Sequence, residues 1–110
     1  MKDNVPTALV IFVTAADETE AEKIAMGLVE PRLAACVSIV PKIKSIYIWE
    51  DKLQKEDEIL LIIKTTEKLF DRVKDTILEL HSYTVPEIIA LPITKGLGEY
   101  LDWIDEVTGK

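Results

Sequence analysis

The side chains best suited to chemistry in this 110-residue chain are a single histidine, a single cysteine and a few carboxylates. His81 could bind a metal ion, carry a proton or cap the end of a helix, where a positive charge is favoured. Glu87 follows closely and could share a cleft with His81, an arrangement that suits proton transfer. One histidine is a weak metal signal, because transition-metal sites gather several nitrogen and sulfur ligands.

Three further candidates each have an ordinary structural explanation. Cys36 lies in an apolar segment, which favours a small core residue over a ligand. Glu58 and Lys64 flank the apolar run of residues 59–63, where an ion pair is the simplest expectation. A ligand held by these two groups near a subunit boundary is the alternative.

Four aromatic side chains carry a polar group and could line a pocket or pack in an interface: Tyr47, Trp49, Tyr83 and Trp103. The sequence contains no glycine-rich phosphate loop, nucleophile elbow, zinc-finger spacing or paired-carboxylate motif. The residues alone therefore assemble no catalytic group, and we predict that the protein is not an enzyme.

Composition excludes several classes of partner. The net charge is −7 and the pI is about 4.7, which argues against nucleic acid and against an anionic membrane surface as partners. The single cysteine suits a reducing compartment, and no signal peptide or apolar run of roughly 20 residues is seen, so we predict a cytoplasmic protein. Residues 1–6 are predicted to be a frayed start.

Apolar patterning indicates the elements that must position these residues. Continuous apolar runs at residues 8–13 and 59–63 predict two strands that are covered on both faces. A long hairpin is predicted over residues 39–65, with its turn at residues 50–52. Pro41 and Pro92 mark the other two strands as edges, or as bulged, because proline cannot donate to a ladder.

Helix signals complete the pattern. Asp17 is predicted to cap the first helix together with Glu20, and Thr66 to cap the second. The last helix is predicted over residues 99–107, with five residues on its apolar face: Tyr100, Leu101, Trp103, Ile104 and Val107. The order strand, helix, strand, strand, helix, strand predicts one ferredoxin-like α+β domain (βαββαβ) over residues 1–110, with an extra C-terminal helix and a long hairpin between its second and third strands.

This topology places both main helices on one side of the sheet. The other side would expose apolar residues of the two central strands, and large exposed apolar patches are uncommon on soluble monomers. We therefore expect further subunits to cover that face. The alternative is that the C-terminal helix covers it alone.

Several ordered segments carry a family resemblance. They are Ala34-Ala35-Cys36-Val37, Ile39-Val40-Pro41, Ser45-Ile46-Tyr47-Ile48-Trp49, Ile63-Lys64-Thr65, His81-Ser82-Tyr83-Thr84-Val85-Pro86-Glu87-Ile88 and Tyr100-Leu101-Asp102-Trp103-Ile104. With them, the chain resembles the CutA divalent-cation tolerance proteins from Thr7 to about Val107.

The resemblance implies a homotrimer similar to the PII signalling proteins, with hairpins that pair with neighbouring sheets. It implies clefts between subunits, and a link to tolerance of copper and other divalent metals, with His81 as the metal ligand and copper as the possible cofactor. The cleft positions are Cys36, Trp49, Glu58, Lys64, His81, Tyr83 and Glu87. Three positions depart from the copper-site pattern of some members: Val13 replaces a cysteine, Leu80 a second histidine and Ser82 a proline.

The leading hypothesis is thus a non-enzymatic trimeric protein that binds a metal ion or small ligand between subunits and signals to an unknown partner. A rival is an enzyme that transfers protons using His81 with Glu87, or with Glu58 of a neighbouring subunit. A third option is an assembly scaffold without a ligand.

Overall fold

Four antiparallel strands and three helices make up residues 7–109, the part of the chain that the structure, a computed structural model, describes. The frayed start predicted for residues 1–6 lies outside the described residues. The elements are β1 (Ala8–Ala15), α1 (Glu18–Val29), β2 (Cys36–Trp49), β3 (Lys52–Thr66), a 3₁₀ turn (Glu67–Leu69), α2 (Phe70–Leu80), β4 (Ile88–Pro92) and α3 (Gly98–Thr108). The predicted α+β class and order of elements are confirmed.

The sheet has the strand order β2-β3-β1-β4, with every neighbouring pair antiparallel. The two strands with continuous apolar runs are therefore central, as predicted. The two strands that contain Pro41 and Pro92 lie at the edges, where the missing N–H of proline is tolerated.

The two faces of the sheet differ in burial. Alternate residues such as Ile11, Leu61 and Ile63 are fully buried in the core formed with α1 and α2. Their neighbours on the opposite face are only partly covered or exposed; this open face comprises Val10, Phe12, Leu60, Ile62, Ile89 and Leu91. Burial on both faces, as the sequence predicted, is thus complete on one side only within a single chain.

α3 covers one end of the open face. Ile104 is fully buried there and clusters with Ala8 and Ala35. Tyr100 and Trp103, predicted to be on the apolar face of this helix, are 41% and 39% exposed. They lie against each other at a ring separation of 5.4 Å, because α3 contacts the sheet through its other apolar side.

The two predicted helix caps have different outcomes. Asp17 caps α1 by accepting a hydrogen bond from the Glu20 N–H (2.8 Å), as predicted. The Thr66 side chain makes no capping hydrogen bond, and that prediction is wrong. The chain first forms the 3₁₀ turn, and α2 begins only at Phe70.

β2 and β3 continue past the end of β1, whose last pair is Ala15 with Ile59. Residues 43–58 therefore form a two-stranded arm that projects from the sheet. Its turn is two residues long, Glu50 and Asp51, both with left-handed backbone (φ 51° and 64°). Lys52, predicted in the turn, already belongs to β3.

A β-bulge separates the arm from the sheet. Val40 pairs with Leu60 but Ile43 pairs with Glu58, so β2 has one extra residue at Pro41–Lys42. Beyond the bulge, Tyr47 and Trp49 lie on the same face of the arm as Glu58.

Candidate functional site

A cavity of about 900 Å³ lies between the arm and the loop of residues 82–87. We call it the arm cavity. Its lining includes six aromatic or carboxylate side chains: Tyr47, Trp49, Glu56, Glu58, Tyr83 and Glu87. The arm and the loop after α2 are thus the two parts of the chain that bring them together.

Glu58 is the most buried carboxylate of the arm cavity, with only 5% of its surface exposed. The hydroxyl of Tyr83 donates a hydrogen bond to its Oε2 atom over 2.7 Å. Burial raises the pKa of Tyr83, and the hydrogen bond to Glu58 and its negative charge raise that pKa further. Tyr83 therefore stays a neutral donor at physiological pH.

A second phenol–carboxylate pair lies further along the arm. The Tyr47 hydroxyl donates to Oε1 of Glu56 over 2.7 Å, and both side chains are exposed. This hydrogen bond is the main reason that the pKa of Tyr47 is raised. The two pairs have the same hydrogen-bonding groups, but the carboxylate of Glu58 is buried whereas that of Glu56 is exposed to water.

His81 lies behind the arm cavity with its side chain fully buried. Its Nε2–H donates to the carbonyl oxygen of Thr14 (2.7 Å), and its Nδ1 accepts from the backbone N–H of Tyr83 (3.0 Å). These partners require the neutral imidazole protonated at Nε2. The imidazole ties the end of β1 to the start of the loop.

Glu20 holds the same loop from α1. Its Oε1 accepts from the Ala16 N–H (2.9 Å) and its Oε2 from the Ser82 N–H (2.6 Å). Burial raises the pKa of Glu20, but the hydrogen bonds from Ala16 and Ser82 outweigh it, so the pKa lies below its ordinary value. Glu20 and His81 together fix the loop that carries Tyr83.

Four of the seven predicted cleft residues line the arm cavity: Trp49, Glu58, Tyr83 and Glu87. Cys36 and Lys64 lie elsewhere, paired across β2 and β3, with Nζ of Lys64 4.0 Å from Sγ of Cys36. Cys36 is half-buried on that face. Neither Glu58 nor Lys64 forms the expected ion pair within residues 7–109.

The described residues do not fit a tight metal site within one chain. Residues 7–109 contain no group of three histidine, cysteine, aspartate or glutamate side chains able to hold a metal ion. Both nitrogens of His81 have protein partners, so a metal would have to displace one of them. The metal role predicted for His81 is not supported by this geometry.

Proton transfer by His81 and Glu87 is likewise unsupported within one chain. Glu87 lines the arm cavity, whereas the imidazole is buried behind Tyr83 at a ring separation of 4.7 Å. A general acid or base must reach the substrate, and both nitrogens of His81 are already engaged by the protein.

The sequence interpretation named Tyr47 only as an aromatic residue that could line a pocket, and it did not place Glu56 or Glu20 in the site. A signal existed for two of them, because Glu56 and Glu58 alternate along β3 and Tyr47 and Trp49 alternate along β2. No local signal connects Glu20 with Ser82, since the two are distant in sequence.

Within residues 7–109, no helix has the length and apolar character needed to cross a bilayer.

Comparisons with known proteins agree with this architecture. Residues 9–107 match the family described as CutA1 divalent ion tolerance protein. The divalent-cation tolerance protein CutA of Thermus thermophilus is 51% identical over 100 residues, which cover 91% of this chain and 97% of that protein. Protein CutA of Homo sapiens is 44% identical over 97 residues, which cover 88% of this chain and 54% of that protein.

Solved structures give the same result. The divalent cation tolerance protein of Thermus thermophilus superimposes with a TM-score of 0.91 at 50% identity, covering 93% of this chain and 99% of that one. CutA1 of a psychrotrophic Shewanella species superimposes with a TM-score of 0.92 at 38% identity, covering 96% of this chain and 99% of that one. The chain therefore belongs to the CutA1 divalent ion tolerance protein family.

Proposed function

We propose that this chain forms a non-enzymatic homotrimer, similar to the PII signalling proteins, that binds a small ligand in the arm cavity. The observation that carries the proposal is the buried Glu58–Tyr83 pair beside a cavity of about 900 Å³. Ligand sites are typically concave, of this size, and combine apolar walls with a few placed polar groups.

Exposed apolar surface supports assembly. On the open face, Ile89 and Leu91 are 52% and 51% exposed. On the far face of the arm, the paired residues Ile48 and Leu53 are 63% and 64% exposed. Covering such groups contributes roughly 25 cal/mol per Å² of apolar surface. A neighbouring copy that covers both patches would therefore be favoured.

A link to divalent-metal tolerance follows from the family and is part of the proposal. Because the described residues of one chain lack a tight site, any bound copper would need ligands shared between subunits. Signalling to a protein partner would then follow from occupation of the cavity. We also propose a cytoplasmic location, although one relative from Archaeoglobus fulgidus is named periplasmic and one from Arabidopsis thaliana chloroplastic.

Sedimentation velocity and native mass spectrometry of the full chain test the assembly and the ligand together. We expect a trimer that retains a bound molecule, and we expect Glu58→Gln to lose it. Asp57→Asn is the matched control, because Asp57 is next in the strand and pairs with Lys44 on the other face of the arm. A stable single chain at working concentration would exclude the proposed trimer.

A separate measurement tests the proposed link to copper. Titration with Cu²⁺ is followed by calorimetry for the assembled wild type and for His81→Ala. We expect at most weak binding that survives His81→Ala, since the imidazole is already occupied. Tight binding that this substitution abolishes would restore His81 as the metal ligand.

A further inference from the structure

We propose that the arm cavity selects an organic ammonium ion, that is, an amine or quaternary ammonium group attached to an apolar body. The inference rests on the proposed ligand-binding function and specifies the chemical class of the ligand. Three features of the lining carry it: its charge, the state of Glu58 and its aromatic content.

The charge of the lining is one-sided. Glu56, Glu58 and Glu87 contribute carboxylates, and no lysine, arginine or histidine of the described chain lines the cavity. None of the three carboxylates has a cationic side chain within ion-pair distance among residues 7–109. Uncompensated charge in a concave, partly apolar surface concentrates ions of the opposite sign and repels anions.

Glu58 supplies an independent indication. It is almost fully buried, since only 5% of it is exposed, yet in the described part of the chain only its Oε2 atom receives a hydrogen bond, from Tyr83. A buried carboxylate is unfavourable unless it is paired or fully hydrogen-bonded. The Oε1 atom is not one of the buried side-chain atoms that lack a partner among residues 7–109, so it reaches the cavity, where an N–H donor or a cation can contact it.

The aromatic lining suits a cation that is organic. Tyr47, Trp49 and Tyr83 surround the carboxylates, and tryptophan and tyrosine attract ammonium groups through their ring quadrupoles. The same rings provide apolar surface for a hydrocarbon body. Because Tyr83 remains a neutral phenol, it does not add a competing negative charge.

A bare divalent ion fits the cavity less well. No three acidic, histidine or cysteine side chains of residues 7–109 are grouped to hold one. Glu56 and Glu58 each already accept a hydrogen bond from a phenol. The volume of about 900 Å³ matches a small molecule rather than an ion.

Four probes of similar shape test the inference on the assembled full chain: benzyltrimethylammonium, benzylammonium, neutral benzyl alcohol and anionic phenylacetate. The background variant is Trp103→Phe, which leaves Trp49 as the only tryptophan and a reporter inside the cavity. Its sedimentation must match that of the wild type. Trp49 fluorescence and calorimetry give the affinities.

We expect both ammonium probes to saturate at one per chain and to bind about tenfold more tightly than benzyl alcohol, a difference typical of one charged contact. Equal or tighter binding of benzyl alcohol or phenylacetate would overturn the ammonium preference and leave the ligand-binding function standing. Failure of all four probes would overturn the ammonium preference, whereas the ligand-binding function is decided separately by whether native mass spectrometry finds a retained molecule.

Two substitutions show which carboxylate is responsible for the ammonium preference. Glu58→Gln keeps the shape and removes the charge, so we expect ammonium affinity to fall about tenfold while benzyl alcohol affinity is unchanged. Glu87 is exposed, so we expect Glu87→Gln to fold like the wild type and to cause a smaller loss of ammonium affinity. Asp57→Asn is the control on the other face. If neither glutamate substitution weakens ammonium binding, the inference is wrong.

Discussion

The hydroxyl of Tyr83 donates to a carboxylate oxygen of Glu58 at 2.7 Å, and this contact joins the loop after α2 to the base of the arm. The backbone N–H of the same tyrosine donates to Nδ1 of His81. One residue thus connects the buried imidazole with the wall of the arm cavity. The two contacts together hold Tyr83 between α2 and the arm.

Tyr83→Phe should lower the free energy of unfolding by about 1–2 kcal/mol, because Glu58 stays buried and loses its only hydrogen-bond donor within residues 7–109. Chemical denaturation at neutral pH measures the change. Tyr47→Phe is the control, since it removes a bond of the same length to an exposed carboxylate. A comparable loss in both variants would show that burial of Glu58 is not the cause.

Glu20→Gln should reduce stability at neutral pH by about 1 kcal/mol, because an amide offers one acceptor oxygen where the carboxylate serves both Ala16 and Ser82. The folded-state pKa of Glu20 lies below its ordinary value of 4.5. Its contribution is therefore fully present above pH 4.5 and lost as the pH falls through the folded pKa.

Thermal unfolding between neutral and acidic pH checks this prediction. The wild type should lose stability on acidification more steeply than Glu20→Gln. Glu18→Gln, an exposed neighbour in the first turn of α1, should keep the wild-type profile. Parallel profiles for the wild type and Glu20→Gln would contradict the proposed role.

Ile89→Lys should disrupt the assembly, because it places a charge on the open face beside Phe12. We expect sedimentation to show smaller species or a dissociation at concentrations where the wild type remains whole. Leu78→Lys is the matched control, since Leu78 is 47% exposed on α2, away from the open face. Unchanged sedimentation of Ile89→Lys would indicate that the open face is not the interface.

Thr66→Val should leave stability unchanged or raise it, because the buried Thr66 hydroxyl has no hydrogen-bond partner within the described residues. Thr65→Val is the opposite case, since the Thr65 hydroxyl donates to the Leu33 carbonyl over 2.6 Å in a fully buried position. That substitution should cost about 1–3 kcal/mol. Denaturant midpoints of the two variants should thus move apart.

The topology was predictable because hydrophobic pattern and proline placement are local signals of burial. Continuous apolar runs identified the two central strands, and Pro41 and Pro92 identified the edges. The cap at Thr66 was mispredicted because a threonine before a helix resembles a cap even when a 3₁₀ turn follows. The exposure of Tyr100 and Trp103 was not predicted, because periodicity gives the apolar side of a helix but not how much of it the sheet covers.

The site was predictable only in part. Trp49, Glu58, Tyr83 and Glu87 were grouped through the family resemblance, and they do line one cavity. The state of His81 depends on the Thr14 carbonyl, which comes from the other end of the chain. Such long-range backbone contacts leave no mark in the sequence, so a histidine with two occupied nitrogens cannot be told from one available to a metal.

The bulge at Pro41–Lys42 bends the arm without changing which side chains face the cavity. β2 takes three steps from Val40 to Ile43 where β3 takes two, so these two residues face the same side. Deleting one bulge residue would therefore restore a regular ladder, and Tyr47 and Trp49 would stay on the cavity side. The bend and the extra local twist would be lost. A one-residue deletion here would thus alter the angle of the arm to the sheet, and with it the width of the cavity, while the core stays intact.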